Sequence, residues 1–264
     1  MNFRGALAAL ARAFPAYPLY AGLWVLGGLL VLLEFALLLV VPRMVPIAAP
    51  MAAGIVTAAI LLAGWLTLVS WRRLFLFRRQ AAMLYFFSAA DPCRAKAVVG
   101  QWFPSHSAWA RWNRGLRRAL ARLGREIGPA AGGLPLQSLF SPAILALAFA
   151  RGGQIETALR DGLALYCRHG ERTLPLARRW LGVSALGLLL LFLCLALPNW
   201  FFFRGAGAPV AVGIALAAAI ACFLHQAFVA PLALAGVSAA LLAETSGFEP
   251  DPALCETIAP LLVP

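Results

Sequence analysis

Charged residues are scarce in this sequence. Of its 264 residues only 12% are Asp, Glu, Lys or Arg, whereas a soluble domain carries about 25%. With 62% hydrophobic residues and a mean hydropathy of +0.85, the low charge excludes a disordered chain, a small disulfide scaffold and an ordinary soluble domain. The composition therefore predicts an integral membrane protein.

The residues that usually carry chemistry are also few. The five cysteines form no CxxC pair, which argues against a metal site or a disulfide framework. The three histidines, His106, His169 and His225, lack ligand spacing and are expected at a surface or an interface. There is no Walker loop and no GxGxxG motif. The sequence therefore predicts no catalytic residue, cofactor or metal.

Four apolar segments are long enough to cross a bilayer, which takes about 20 residues. They are Leu19–Val41, Met44–Trp71, Trp180–Phe203 and the stretch from Ala206 to about Ala230. Apolar character continues past Pro231 to Ala243, either completing a tilted fourth span or lying at the interface. Proline and glycine in 41–46 and 204–209 predict tight turns between paired spans. The predicted fold is all-α, with four transmembrane helices in two hairpins and an intervening helical-bundle cytoplasmic domain.

The positive charge is concentrated between the two hairpins. Arg72–Arg179 contains eighteen of the 22 basic residues and five of the ten acidic ones. Because Lys and Arg near span ends stay cytoplasmic, this segment and both termini are predicted to be cytoplasmic, an N-in/C-in topology. The predicted parts are a cytoplasmic N-terminal segment (1–18), hairpin 1 (19–71), a basic domain (72–179), hairpin 2 (180–243) and an acidic tail (244–264).

The basic segment has the pattern of a set of helices. Asp91-Pro92 predicts a capped short helix to about Trp102. Ser107–Ile127 has apolar residues at helical spacing, and a Gly/Pro break at Gly128–Pro135 follows it. Leu136–Ala150 and Gln154–His169 form a second pair. The apolar stretch Leu134–Ala150 is short for a span, which favours a buried helix of the domain over a re-entrant segment.

Basic residues occupy the other faces of the helix predicted at Ser107–Ile127. Three interpretations are open: contact with anionic lipid with Trp and Leu inserted, binding of an acidic partner or nucleic acid, or a core-packing helix with a solvated basic face. Nucleic acid has little support, since no base-reading motif accompanies the charge. The residues concerned are Arg111, Arg114, Arg117, Arg118, Arg122 and Arg125.

Glu34 is the one acidic residue inside a predicted span. An ionisable residue within a membrane is a functional candidate by default, and helix packing is the alternative role. A proton- or solute-coupled transporter usually has more than one such group or broken helices at the midplane. The sequence shows neither feature in its first three spans, which lowers the weight of a transporter.

Several short motifs resemble one family. Ala16-Tyr17-Pro18-Leu19-Tyr20 opens a span that ends in Val40-Val41-Pro42-Arg43, and Gly133-Leu134-Pro135-Leu136 precedes Phe140-Ser141-Pro142. Gly153-Gln154-Ile155 with Leu159 follows. Their order resembles the inner-membrane platform proteins of type II secretion systems and type IV pili. The chain departs from that family at its Gly-Glu signature, where Phe149-Ala150 stands. Its single cytoplasmic domain and fourth span resemble the shorter members found in tight-adherence pilus systems.

The resemblance implies a non-catalytic platform in the bacterial inner membrane that couples an assembly ATPase to assembly of pilins or pseudopilins. The implied partners are that ATPase, pilin or pseudopilin, other inner-membrane components, the lipid bilayer and a second copy of the chain, with no nucleic acid and no cofactor. The basic face would meet the ATPase or lipid headgroups, and Glu34 would meet partner helices. The alternative is a small transporter or ion-conducting subunit that uses Glu34. The motif residues given structural roles are Tyr17, Pro18, Pro42, Gly133, Pro142, Gly153 and Leu159.

Overall fold

The computed structural model describes residues 3–44, 50–88, 91–126, 134–205 and 210–262, and these residues contain helices and no strand. Four helical runs are long and apolar enough to span a membrane: Tyr17–Leu38, Ile55–Phe87, Arg172–Gly205 and Val210–Thr245. The chain is therefore an all-helical, multi-pass membrane protein, as its composition predicts. The pairing of the spans into hairpins and the N-in/C-in topology stay predictions.

The helices are numbered in chain order. The first four are α1 (Phe3–Arg12), α2 (Tyr17–Met44), α3 (Pro50–Trp71) and α4 (Phe77–Phe87). The next four are α5 (Ala95–Trp102), α6 (His106–Glu126), α7 (Leu134–Arg151) and α8 (Ile155–Gly205). The last three are α9 (Val210–Leu224), α10 (Ala230–Thr245) and α11 (Pro252–Leu262). Five-residue π-helical segments, Arg72–Leu76 and His225–Val229, join α3 to α4 and α9 to α10.

The chain divides into two compact units. Unit 1 consists of Met1–Leu19, Phe77–Ala185 and Ala230–Pro264, and unit 2 consists of Tyr20–Leu76 and Leu186–Val229. Unit 1 thus draws on residues from the predicted N-terminal segment, the predicted basic domain, the end of hairpin 2 and the acidic tail. The five-part division drawn from the sequence stays a prediction.

Unit 1 is built around α7 and α10. Helix α10 packs against α1 and α7, and α7 also packs against α4 and α6. From Leu139 to Phe149 almost every side chain of α7 is buried, so this apolar stretch is the buried helix that its short length predicts. The stretch past Pro231 forms α10, which is part of the candidate span Val210–Thr245 and packs in unit 1, where Ala235 and Ser238 are fully inaccessible.

Trp180 is the largest fully buried side chain of unit 1. Its indole occupies the space where a side chain at Gly236 of α10 would lie. The ring of Phe3 stacks on it at 5.9 Å with an interplanar angle of 18°. A glycine at position 236 is therefore a packing requirement, since any Cβ there would meet the indole.

Unit 2 contains most of α2, all of α3, the part of α8 from Leu186 onward and all of α9. Trp71 donates a hydrogen bond from Nε1 to the carbonyl of Leu23 at 3.2 Å, which ties α3 to α2. Phe223 of α9 lies against Gly27 and Gly28 of α2, where ideal Cβ atoms would be 3.0 and 3.3 Å from its side chain. Small residues at such contacts let membrane helices approach closely.

Side-chain caps close to the chain determine where α5 and α6 begin. Asp91 accepts a hydrogen bond from the backbone N–H of Cys93 at 3.0 Å and caps the 3₁₀ turn Pro92–Arg94 that leads into α5, so the predicted cap is confirmed. Ser105 Oγ accepts from the N–H of Ala108 at 3.2 Å and caps α6. The predicted helix Ser107–Ile127 is observed as α6, with Ile127 outside the described residues.

Three predicted boundaries are wrong. Helix α2 continues to Met44, so Pro42 and Arg43 lie in its last turn instead of beginning a loop. Helix α7 begins at Leu134, which places Pro135 in a first turn, where a missing N–H costs no intrahelical bond. The helix predicted to end at His169 is the start of the 51-residue α8, about 77 Å long at 1.5 Å per residue.

Candidate interaction surface

Helix α6 has one face buried in unit 1. Trp109, Leu116, Leu120 and Leu123 are each at least 93% buried. Trp109 meets Phe103 edge to face at 4.9 Å. Most of the apolar stripe therefore belongs to the core of unit 1, and Trp112 beside it is half-buried.

The opposite face of α6 carries an arginine stripe, which we define as Arg111, Arg114, Arg118, Arg122 and Arg125. Their spacing of three or four residues places them within about 80° on the helix at 100° per residue. The first four are exposed, as is Arg117 beside them, and nothing is described of the Arg125 side chain. All six basic residues predicted for this surface thus lie on one helix.

The side chains of Arg125 and Glu126 lie outside the described part of the chain, and among the described side chains none forms an ion pair with the stripe. The two ion pairs found there are Arg94 with Asp91 and Arg160 with Asp161. Within α6, Arg114 donates to the carbonyl of Ala110 at 3.2 Å. Like charges at i, i+3 and i, i+4 destabilise a helix by about 0.2–0.5 kcal/mol per pair. The stripe is thus a dense, exposed cationic surface, the arrangement expected where an anionic partner binds.

Two contacts fix α6 beside its neighbours. Ser141 of α7 donates from Oγ to Asn113 Oδ1 at 2.7 Å. Helix α11 packs against α6, with the carbonyl oxygen of Leu262 3.6 Å from where a Cβ on Gly115 would be. The side chains that carry the stripe therefore project from a helix held by packing and by a polar contact.

The C-terminal segment is fastened to unit 1 at several points. The guanidinium of Arg151 donates to the carbonyl of Phe248, whose ring lies 4.3 Å from that of His169. The thiol of Cys255 lies 3.7 Å from Asp161 Oδ1. The tail is acidic, as its composition shows, yet among the described residues its carboxylates form no ion pair with the stripe.

The motif residues shared with the platform family do not form one site in the described part of the chain. Tyr17 is half-buried and Pro18 is exposed, both in the first turn of α2. Pro142 lies within α7, and Leu159 is 1% exposed in the core of unit 1. Gly133 lies outside the described residues. Their positions suit structural roles at helix ends and in the core.

Gly153 has the clearest structural reason among these motif residues. Gly152 and Gly153 have φ values of +71° and +82°, which only glycine adopts without strain, and they form the turn between α7 and α8. The carbonyl of Gly153 accepts a hydrogen bond from Trp102 Nε1 at 3.2 Å. Trp102 in turn stacks on Phe149 at 4.6 Å. The turn thus orients the start of α8 against α5 and α7.

Glu34 lies in unit 2 and is half-buried. Its carboxylate occupies the space where a side chain at Gly64 of α3 would stand. Gly64 was not singled out from the sequence, because no local pattern shows which residue of a second helix faces an acid on the first. The arrangement makes Glu34 a contact between α2 and α3.

The histidines were predicted at a surface or an interface, and the structure places each of them partly or fully buried. His169 and His225 are 8% and 9% exposed, and His106 is half-buried against the ring of Phe77 at 5.6 Å. Within the described residues, no group of three or more His, Cys, Asp or Glu side chains is placed to hold a metal ion.

No family model matches the chain, and no match is found among curated proteins or among solved structures.

Proposed function

We propose that the protein is a non-catalytic inner-membrane platform of a type II secretion or type IV/tight-adherence pilus machine. In this role it couples a cytoplasmic assembly ATPase to the assembly of pilins or pseudopilins. The observation that carries the proposal is the arginine stripe, an exposed cationic surface on a well-packed helical unit. The order of the platform-family motifs along the chain supplies the choice of machine.

The structure suits mechanical coupling because α8 is one helix that begins in unit 1 and ends in unit 2. A helix without a loop transmits a displacement along its axis better than a flexible linker does. In our proposal the ATPase binds the arginine stripe, unit 1 moves with it, and α8 carries that movement into the spans. Pilin or pseudopilin helices then meet the spans near Glu34, with both termini in the cytoplasm.

Binding of the assembly ATPase to full-length protein in nanodiscs tests the proposal. The triple variant Arg114→Gln, Arg118→Gln and Arg122→Gln should lose most of the binding, since each guanidinium can form a charge-assisted hydrogen bond with a carboxylate. The matched control replaces the same three residues with Lys, which keeps the charge and alters only the bidentate geometry. Binding by the native chain should weaken as salt rises.

Two results would count against the proposal. The first is equal ATPase binding by the native chain and the Gln variant. The second is normal piliation and secretion after deletion of the gene. If the Gln variant instead loses affinity only for vesicles that contain phosphatidylglycerol, the stripe binds lipid headgroups and the ATPase must dock elsewhere.

The second candidate function, a small transporter or ion-conducting subunit, is favoured by one observation. A carboxylate inside a candidate span is costly in lipid, and Glu34 is held at a contact between α2 and α3. Glu34→Gln should then abolish proton- or ion-dependent flux in proteoliposomes. A flux that is equal in the native and Gln proteins removes this function and leaves Glu34 a packing contact.

A further inference from the structure

Helix α1 and the chain just after it expose large apolar side chains, which a helix at a water-exposed surface would bury. The large apolar side chains of unit 1 that are exposed in the described chain number six, and four of them lie within the first 19 residues. Phe14 is the most exposed at 69%. The six are Phe3, Leu7, Phe14, Leu19, Val183 and Phe248.

The buried face of α1 and the turn after it is made of alanines. Ala6, Ala9 and Ala13 are fully inaccessible, and Ala16 is 3% exposed. These small side chains pack α1 closely on α10. A helix at a water-exposed surface normally buries its Phe and Leu residues and exposes its alanines. The outer face of α1 is therefore suited to contact with an apolar phase or partner as well as with water.

The outer face has an apolar edge and a basic edge. At 100° per residue Phe3 and Leu7 fall within about 40° of one another on α1, and Arg4 and Arg12 lie about 60–140° beyond Leu7. Phe14 lies in the turn that follows the helix. Both arginines are exposed, and no acidic residue precedes Glu34 in the sequence. An interfacial helix has this pattern, with aromatic and aliphatic side chains toward acyl chains and Arg toward headgroups.

Chain connectivity brings the end of α1 to a membrane boundary. The candidate span Tyr17–Leu38 begins three residues after Phe14, a length of chain that reaches at most about 10 Å. The ends of a span lie at the interface, where Tyr and Trp are enriched. Phe14 and Arg12 are thus within reach of the headgroups wherever the rest of unit 1 lies.

We propose that α1 and the turn after it lie in the lipid interface, with Leu7, Phe14 and the exposed part of Phe3 at the headgroup–acyl boundary and Arg4 and Arg12 on the phosphates of anionic phospholipids. This role is independent of the ATPase and of the arginine stripe.

Photo-crosslinking of the full-length protein in nanodiscs of phosphatidylglycerol and phosphatidylcholine tests the proposal. p-Benzoylphenylalanine is placed at Leu7 or Phe14, and at Ala8 as the matched exposed control on the basic edge. Phospholipid adducts, counted by mass spectrometry, should be severalfold more abundant at positions 7 and 14 than at position 8. Equal lipid yields at positions 7 and 8, or crosslinks at 7 and 14 to a second copy of the chain, would overturn it.

A second experiment tests the role of the two arginines at the basic edge. Arg4→Gln with Arg12→Gln should lower the lipid adducts at position 14 in nanodiscs that contain phosphatidylglycerol and leave them unchanged in pure phosphatidylcholine. Adduct yields that do not depend on phosphatidylglycerol would overturn the assignment of the arginines to anionic headgroups. Because every substituted side chain is exposed, the thermal midpoint of each variant should stay that of the native protein, which separates a lost lipid contact from a lost fold.

Discussion

The two units place their apolar side chains in opposite ways. Unit 1 buries them, as Leu163 and Trp180 show with no exposed surface. Unit 2 turns them outward, and Leu190, Trp65 and Phe202 are 53%, 59% and 71% exposed. In water such exposed apolar surface would favour association, whereas in hydrocarbon it carries no penalty. The comparison indicates that unit 2 is built for contact with lipid, whereas unit 1 is packed around its own core, with α1 as the exception.

A leucine therefore contributes differently to stability in the two units. A buried leucine of unit 1 contributes about 1.5–3 kcal/mol by leaving water. An exposed leucine of unit 2 gains nothing comparable from helix packing, because lipid tails are as apolar as its neighbours. Pairs of matched substitutions, one in each unit, test whether this contrast is correct.

Cysteine labelling should give the largest difference. Cys93 in unit 1 and Cys194 and Cys222 in unit 2 are all exposed. In a bilayer a water-soluble maleimide should label Cys93 and leave the other two unmodified, since neither reagent nor thiolate enters hydrocarbon. All three should react in sodium dodecyl sulfate. Labelling of Cys194 at the rate of Cys93 would show that unit 2 is exposed to water.

Cys167 provides a reference inside unit 1. Burial raises the pKa of its thiol from 9.0 to about 12, which lowers the thiolate fraction at neutral pH about a thousandfold. A raised pKa keeps the Cys167 thiol protonated as pH increases from 7 to 9, so Cys167 should stay unmodified over this range. Mass spectrometry of the labelled peptides distinguishes Cys167 from Cys93, and early labelling of Cys167 would mean that unit 1 opens.

Tryptophan truncation should show the next largest contrast. Trp180→Ala removes a fully buried indole and should lower the stability of unit 1 by about 3–5 kcal/mol. Trp65→Ala removes a side chain that is 59% exposed in unit 2 and should cost far less. Thermal unfolding in nanodiscs measures both, and equal losses would contradict the proposed difference between the units.

Features that depend on residues close in sequence could be predicted, whereas contacts between distant residues could not. The Asp91 cap and the register of α6 depend on residues close in sequence, and both are present in the structure. The stretch past Pro231 was ambiguous because a protein core and a bilayer select the same apolar residues. The pairing of Trp180 with Gly236, and of Glu34 with Gly64, depends on residues far apart in the chain, and composition and periodicity carry no information about it.

A charge placed on the outer face of unit 2 sharpens the comparison. Leu190→Lys should impair membrane insertion by about 2.5–3.5 kcal/mol, the cost of a central lysine in a span. Gln101→Lys, at an exposed position of unit 1, should leave insertion unchanged. The inserted fraction is measured by alkaline extraction of membranes, with Leu190→Ala as the control for the loss of the leucine. Normal insertion of Leu190→Lys would place position 190 outside the hydrocarbon.

Glycine substitutions compare two positions with different surroundings in unit 1. Gly236→Ala puts a methyl group into the Trp180 indole and should cost about 1–3 kcal/mol. Gly182→Ala meets nothing within 4 Å and should stabilise α8 by about 0.5–1 kcal/mol through helix propensity. Thermal midpoints measured in the same detergent decide the sign of each effect.

The smallest change in stability is expected for a substitution in the arginine stripe, and the sign of that change is informative. Arg118→Gln removes two like-charge i, i+4 pairs, with Arg114 and Arg122, and should raise the stability of α6 by about 0.2–0.5 kcal/mol per pair. Leu116→Gln, two residues away and 2% exposed, should destabilise unit 1 by burying an unpaired amide. A loss of stability in Arg118→Gln would give the stripe a folding role. A gain, together with lost binding in the Gln triple variant, would mean that the stripe is retained for a partner at the expense of stability.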